Sequence, residues 1–151
     1  GQDLPDGEQA SAPTFLVSAL ADPGTAALPG TPLQRLQIIK GWVDAEGQGH
    51  EKVFDVAGDA NNGATVNTDT CKQNGDGFQQ LCTVWSDPEF NDGHRAVYYA
   101  RAVENPSCRY TSWQCAGLTG EDRPASCDNP RNKSPLQERA LTSPIWYTPD
   151  G

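Results

Sequence analysis

The chain has no methionine, only two histidines (His50 and His94), and 11 Lys plus Arg against 20 Asp plus Glu, a formal charge of −9 over 151 residues. No cluster of Lys and Arg interrupts this acidity. Binding to a phosphate backbone needs such a cluster to displace counterions, so nucleic acid is not an expected partner. The longest apolar stretch, Phe15–Ala21, falls far short of the roughly 20 residues a membrane-spanning helix requires. G-x-S-x-G, G-x-x-x-x-G-K-[ST] and H-E-x-x-H are all absent. Two histidines offer little base to activate a nucleophile, and carboxylates are too common here for any pair to stand out. These gaps predict a chain that is not an enzyme and holds no cofactor. No charged leader followed by an apolar segment opens it either. With methionine missing, it reads as a processed or excised piece of something longer.

The five cysteines, Cys71, Cys82, Cys108, Cys115 and Cys127, contain no C-x-x-C pair, and neither histidine completes a zinc pattern. They read as disulfides formed in an oxidising compartment, which predicts a secreted chain, extracellular or periplasmic. Cys71 and Cys82 flank a Gly/Asn/Asp-rich loop, where a bridge would close a hairpin. Cys115 and Cys127 share a long connection with few apolar residues. Those two pairs are the expected bridges, although sequence alone does not fix connectivity. One thiol is left over, or pairs between chains.

Alternation supplies the rest of the fold. Residues 1–13 are polar, with nothing to bury, and read as an extended N-terminal arm. Thr14–Ala21 is a strand, followed by a Pro/Gly loop. Leu33–Val43 alternates, placing Leu36, Ile38 and Trp42 on one face with an interruption near Lys40-Gly41. After the turn at 45–49, His50–Ala57 returns as a hairpin partner. Gln79–Trp85 and Arg95–Glu104 alternate as well. A Cys-bearing loop over 105–142 follows, in which Leu136–Leu141 suggests a turn or two of helix. Residues 144–147 close the chain as a last strand. The prediction is all-β: a single immunoglobulin-like β-sandwich over 14–151 with a disulfide-stapled loop before the last strand.

Binding candidates are few. Asp59–Gly63 opens like a calcium loop but has Gly63 at the fifth position and Thr70 at the twelfth, so it reads as an Asx turn. Asp87, Glu89 and Asp92 are the calcium candidates in a loop that reads first as a solvated connection. Trp42 and Trp85 sit at strand positions that default to core. Trp113, in a loop between cysteines, is the glycan-contact candidate.

Five segments carry a resemblance: LQRLQIIKGWVD (33–44), EKVFDVA (51–57), LCTVWSDPEF (81–90), YYARAVENPSC (98–108) and QERALTSPIWYTP (137–149). In this order they resemble the C-terminal portion of the bacterial domain of unknown function 3604 family, from about Phe15 to Pro149. The resemblance implies a terminal β-sandwich. Longer members begin with a segment like GDLHVHT-x-x-S, similar to the metal-binding motif of PHP-type phosphoesterases. No such segment stands in this sequence, so no catalytic residue carries over.

Two principal readings follow. In the first, the chain is a non-catalytic extracellular assembly module whose strand 14–21, with Phe15, Leu16, Val17, Ala19 and Leu20, is donated to a neighbouring copy and builds a filament or oligomer. In the second it is the accessory domain of a larger PHP-like metal-dependent hydrolase. A glycan- or calcium-binding module is the third.

Overall fold

A computed structural model describes residues 1–4, 11–131 and 134–149. Among the described residues ten strands are formed: β1 (Gln2–Asp3), β2 (Thr14–Leu20), β3 (Leu33–Val43), β4 (Gly49–Gly58), β5 (Thr65–Val66), β6 (Gln73–Asn74), β7 (Gln80–Ser86), β8 (Arg95–Glu104), β9 (Arg139–Leu141) and β10 (Ile145–Tyr147). One short helix, α1 (Tyr110–Ala116), and two 3-10 turns lie between β8 and β9. The fold is mostly β.

The larger sheet runs β1-β10-β8-β3-β4, with β9 also on β8 beside β10. Its centre is β3, apolar on alternate positions and paired antiparallel with both β4 and β8. The smaller sheet is β2 with β7, in register from Thr14↔Ser86 to Leu20↔Gln80. Period-two alternation gives each of its strands one inward face, with Phe15, Val17 and Ala19 from β2 and Leu81, Thr83 and Trp85 from β7. These side chains meet the inner face of the larger sheet. Leu33, Leu36 and Leu81 form one buried cluster with Val17 and Ala19 against it, and Ile38, Ala96 and Tyr98 form another with Phe15, Trp42 and Trp85.

Several expectations are corrected here. Strand 14–20 pairs along its whole length with β7 of the same chain. Its three inward residues fill that chain's own core, and the connection over 21–32 is long enough to bring it there. The arm is not wholly detached either. Gln2 and Asp3 run parallel to Ile145 and Trp146, whereas the middle of the arm, 5–10, lies outside the described residues. Leu136–Leu141 is not helical. Arg139–Leu141 adds to β8 as a strand, where Ala140 and Leu141 face Ala102 and Arg101, because an open edge of β8 outweighs the weak local helix preference. The irregularity in β3 falls between Leu36 and Gln37 against β4, not at Lys40-Gly41. Gly58 lies opposite Arg35 beside it with φ +83°, where a Cβ would meet the Gln34 carbonyl at 2.3 Å.

The disulfides are Cys71–Cys108 and Cys115–Cys127, and Cys82 is a free, exposed thiol. The pairing of Cys71 with Cys82 is therefore corrected. Cys82 alternates with Leu81 and Thr83 and so points away from the core. Cys71 is buried, as is Cys108 just beyond β8. The bridge ties the 59–78 loops to the start of the long connection. The second bridge joins α1 to the 3-10 turn at Ala125–Asp128.

Candidate functional site

Two places carry chemistry beyond ordinary packing. The first is the outer face of the β2–β7 sheet. The same alternation that buries Phe15 and Val17 turns Leu16, Leu20 and Val84 outward, at 73%, 72% and 64% exposure. Leu16 lies opposite Val84, and Ser18 opposite Cys82. Thr14, Gln80 and Ser86 complete the exposed face. None of these eight side chains is charged, in a chain of net charge −9. The strip leaves three large apolar side chains together on the solvent side of the smaller sheet.

The second place is buried. Lys40 falls in phase with Leu36, Ile38 and Trp42 on β3, so its side chain is directed between the sheets. Its Nζ lies 2.5 Å from Asp87 Oδ2, with the two side chains 5% and 0% exposed. Nζ also donates to the Glu89 carbonyl at 2.7 Å and sits 5.2 Å from the Trp42 ring centroid. The Tyr98 hydroxyl donates to the same Asp87 Oδ2 at 2.8 Å, and the Glu89 N–H donates to Oδ1 at 2.9 Å. Burial, then the hydrogen bond and charge of Asp87, push the Tyr98 hydroxyl far above the ordinary tyrosine range. It therefore keeps its proton and remains a hydrogen-bond donor to Asp87. Phe15 packs against Tyr98 with ring centroids 5.0 Å apart.

The calcium candidates do not converge. Asp87 is committed to Lys40 and Tyr98, Glu89 reaches Lys52, and the backbone carbonyl of Asp92 accepts from Tyr147. Among the described residues, no group of three or more His, Cys, Asp or Glu is placed to hold a metal. Asp59 caps the backbone N–H of Asn61 in a local Asx turn. Trp113 stands half exposed on α1, beside the more exposed Tyr110. His50 stacks on Trp42 and pairs with Asp44 across the hairpin turn. This pairing and two backbone N–H donors hold the Asp44 carboxyl below its ordinary range.

What the sequence reading missed is Lys40. A lysine in step with Leu36, Ile38 and Trp42 was visible as a charge on the core stripe of the most apolar strand, and such a position needs a buried partner. The partner's identity was not visible, because Asp87 lies 47 positions away in a loop.

The family described as Protein of unknown function (DUF3604) matches residues 1–149. The chain belongs to that family. No curated protein and no solved structure matches it. The matched span takes in both places, the β2–β7 outer face and the Lys40–Asp87 pair.

One further electrostatic feature concerns stability. Burial, with Glu138 and Asp22 nearby, pushes the Glu104 carboxyl above its ordinary range. A carboxyl raised in the folded state destabilises the fold when ionised. That penalty fades as pH falls through the raised value towards the ordinary one. Glu104→Gln is therefore expected to stabilise the chain at pH 7 by a few tenths of a kcal/mol, since the group is partly solvated. The gain should vanish near pH 4 in urea titrations run at both pH values, and a loss at pH 7 would overturn this.

Proposed function

We propose that the chain is a non-catalytic assembly module that pairs with a second copy of itself through the outer face of the β2–β7 sheet. The observation carrying this reading is the uncharged strip of Leu16, Leu20 and Val84 around Cys82. Two copies each bearing −9 repel over most of their surface. This face is a place where they meet without opposing carboxylates. A two-fold axis through its middle brings the Ser18–Cys82 row of one copy against that of the other, which makes the contact isologous and closed rather than filamentous.

Size sets the character of the pair. Seven residues at about 3.4 Å and two strands about 4.8 Å apart span roughly 250 Å². A stable interface buries about 800 Å² per partner, so the face alone supports only weak pairing. Cys82 makes it durable. Two Cys82 thiols lose two protons and two electrons to a thiol oxidant, the class of reagent that forms the other two bridges, and one interchain S–S bond results. Such a step needs an oxidising compartment, extracellular or periplasmic, with which the two disulfides are compatible.

Light scattering over a hundredfold dilution tests the reading, alongside non-reducing electrophoresis. The oxidised chain should run at twice 16.2 kDa. Cys82→Ser should dissociate on dilution, and Leu16→Glu with Val84→Glu should be monomeric with an unchanged far-UV spectrum. An oxidised chain that is monomeric throughout overturns self-pairing. It would assign the face to a different body, as in the accessory-domain reading of a larger hydrolase.

A further inference from the structure

The buried Lys40–Asp87 pair has more than an ion pair requires. We propose that Lys40 and Asp87 condense into an intramolecular isopeptide bond, a covalent tie between β3 of the larger sheet and the end of β7 in the smaller one. This inference stands apart from the self-pairing of the outer face and would survive its failure.

The geometry supplies each part of the reaction. The amine lies at hydrogen-bond distance from one carboxyl oxygen, Oδ2, at 2.5 Å, and the Glu89 carbonyl holds it there. Oδ1 accepts the Glu89 N–H, a donor placed where negative charge gathers when the carboxyl carbon is attacked. Oδ2, the oxygen that must leave, accepts the Tyr98 hydroxyl. The rings of Trp42 and Tyr98 lie 5.2 and 5.9 Å from Nζ, over a pair that is almost wholly buried. A neutral amine and a carboxylic acid are the reactive forms of such a pair, and the two side chains are 5% and 0% exposed.

The step balances without a further reagent. One Nζ proton passes to Oδ2, giving the neutral amine and acid. Nζ attacks Cγ, and a C–N bond forms while charge collects on Oδ1. A second Nζ proton reaches Oδ2 through the Tyr98 hydroxyl, which gives one proton and regains one. The Cγ–Oδ2 bond breaks and water departs. An ammonium and a carboxylate have become an amide and one water molecule, with no oxidation or reduction. Close placement of the two groups replaces the activation that amide formation otherwise needs.

Intact mass of the natively purified, fully reduced chain decides the matter. The expected result is a mass about 18 Da below that of the sequence, one water lost. A tryptic digest should contain one branched species joining the segments around Lys40 and Asp87, with no cleavage after Lys40. Asp87→Ala and Lys40→Ala should both return to full sequence mass, and they do so whether or not they fold, because the reading is of covalent structure. Tyr98→Phe keeps the ring and removes the proton relay, so it should close on the order of 100-fold more slowly. A folded wild-type chain at full sequence mass overturns the proposal and leaves a buried ion pair. So does an 18 Da deficit that persists in Asp87→Ala, since the water would then have been lost elsewhere.

Discussion

Replacing Cys71 and Cys108 together by serine is expected to lower stability by about 4 kcal/mol, from the loop entropy released when a bridge spanning 37 residues is lost. In a domain of this size that is roughly 10 °C in Tm. Two features put this bridge above Cys115–Cys127, which spans 12 residues and accounts for about 3 kcal/mol on the same reasoning. Cys71 has φ +56°, a left-handed backbone that no other described non-glycine residue adopts. The bridge also pins the loops over 59–78 to the polar segment after β8, regions with little apolar surface to hold them. The double replacement avoids a stray thiol. Urea unfolding of the three variants should rank the losses as Cys71/Cys108, then Cys115/Cys127, with Cys82→Ser close to zero when measured on the monomer. A Cys82→Ser loss equal to the others would mean that Cys82 is a structural partner and that the bridging described above is wrong.

How far the sequence revealed this arrangement differs from element to element. Strands β2 and β7 were legible because inward and exposed residues alternate along them, β3 and β8 because they are the longest apolar-rich runs, and β4 because a turn signal precedes it; all of these are local signals. The outward set of β2 and β7 follows from the same alternation, so the exposed strip of Leu16, Leu20, Cys82 and Val84 was latent in the pattern that placed Phe15 and Trp85 inside. The cysteine pairing was less legible. Cys71 and Cys82 are near in sequence and flank a loop, but strand parity turns Cys82 outward while Cys71 and Cys108 converge only once β8 is docked. The segment 136–141 misled because Leu, Gln, Glu and Arg favour helix locally. The edge of β8, left open beyond β10, is a long-range fact that overrides that preference. Whether strand 14–20 stays at home or crosses to another chain was likewise undecided by composition, since its inward residues suit any open sheet. Its seven residues pair in register with β7.

Replacing Asp87 by alanine is expected to cost the folded chain about 3–5 kcal/mol, because the change strands a lysine amine between two sheets. The expectation holds whether Lys40 and Asp87 form an ion pair or an amide, since removing Asp87 leaves Nζ with only the Glu89 carbonyl and two ring faces for company. The Tyr98 hydroxyl loses its acceptor in the same change, and a buried donor without a partner adds to the loss. The control is the neighbouring pair, Lys52 with Glu89, whose side chains are 44% and 48% exposed. Glu89→Gln removes one carboxylate from one lysine just as Asp87→Ala does, yet water replaces what is lost, and the cost should stay within about 1 kcal/mol. Urea midpoints of the two variants compare burial directly, with the chemistry of the pair held nearly constant. Equal losses would mean that the Lys40 pocket is wet, and both the buried-charge argument and the dry setting needed for condensation would fall with it.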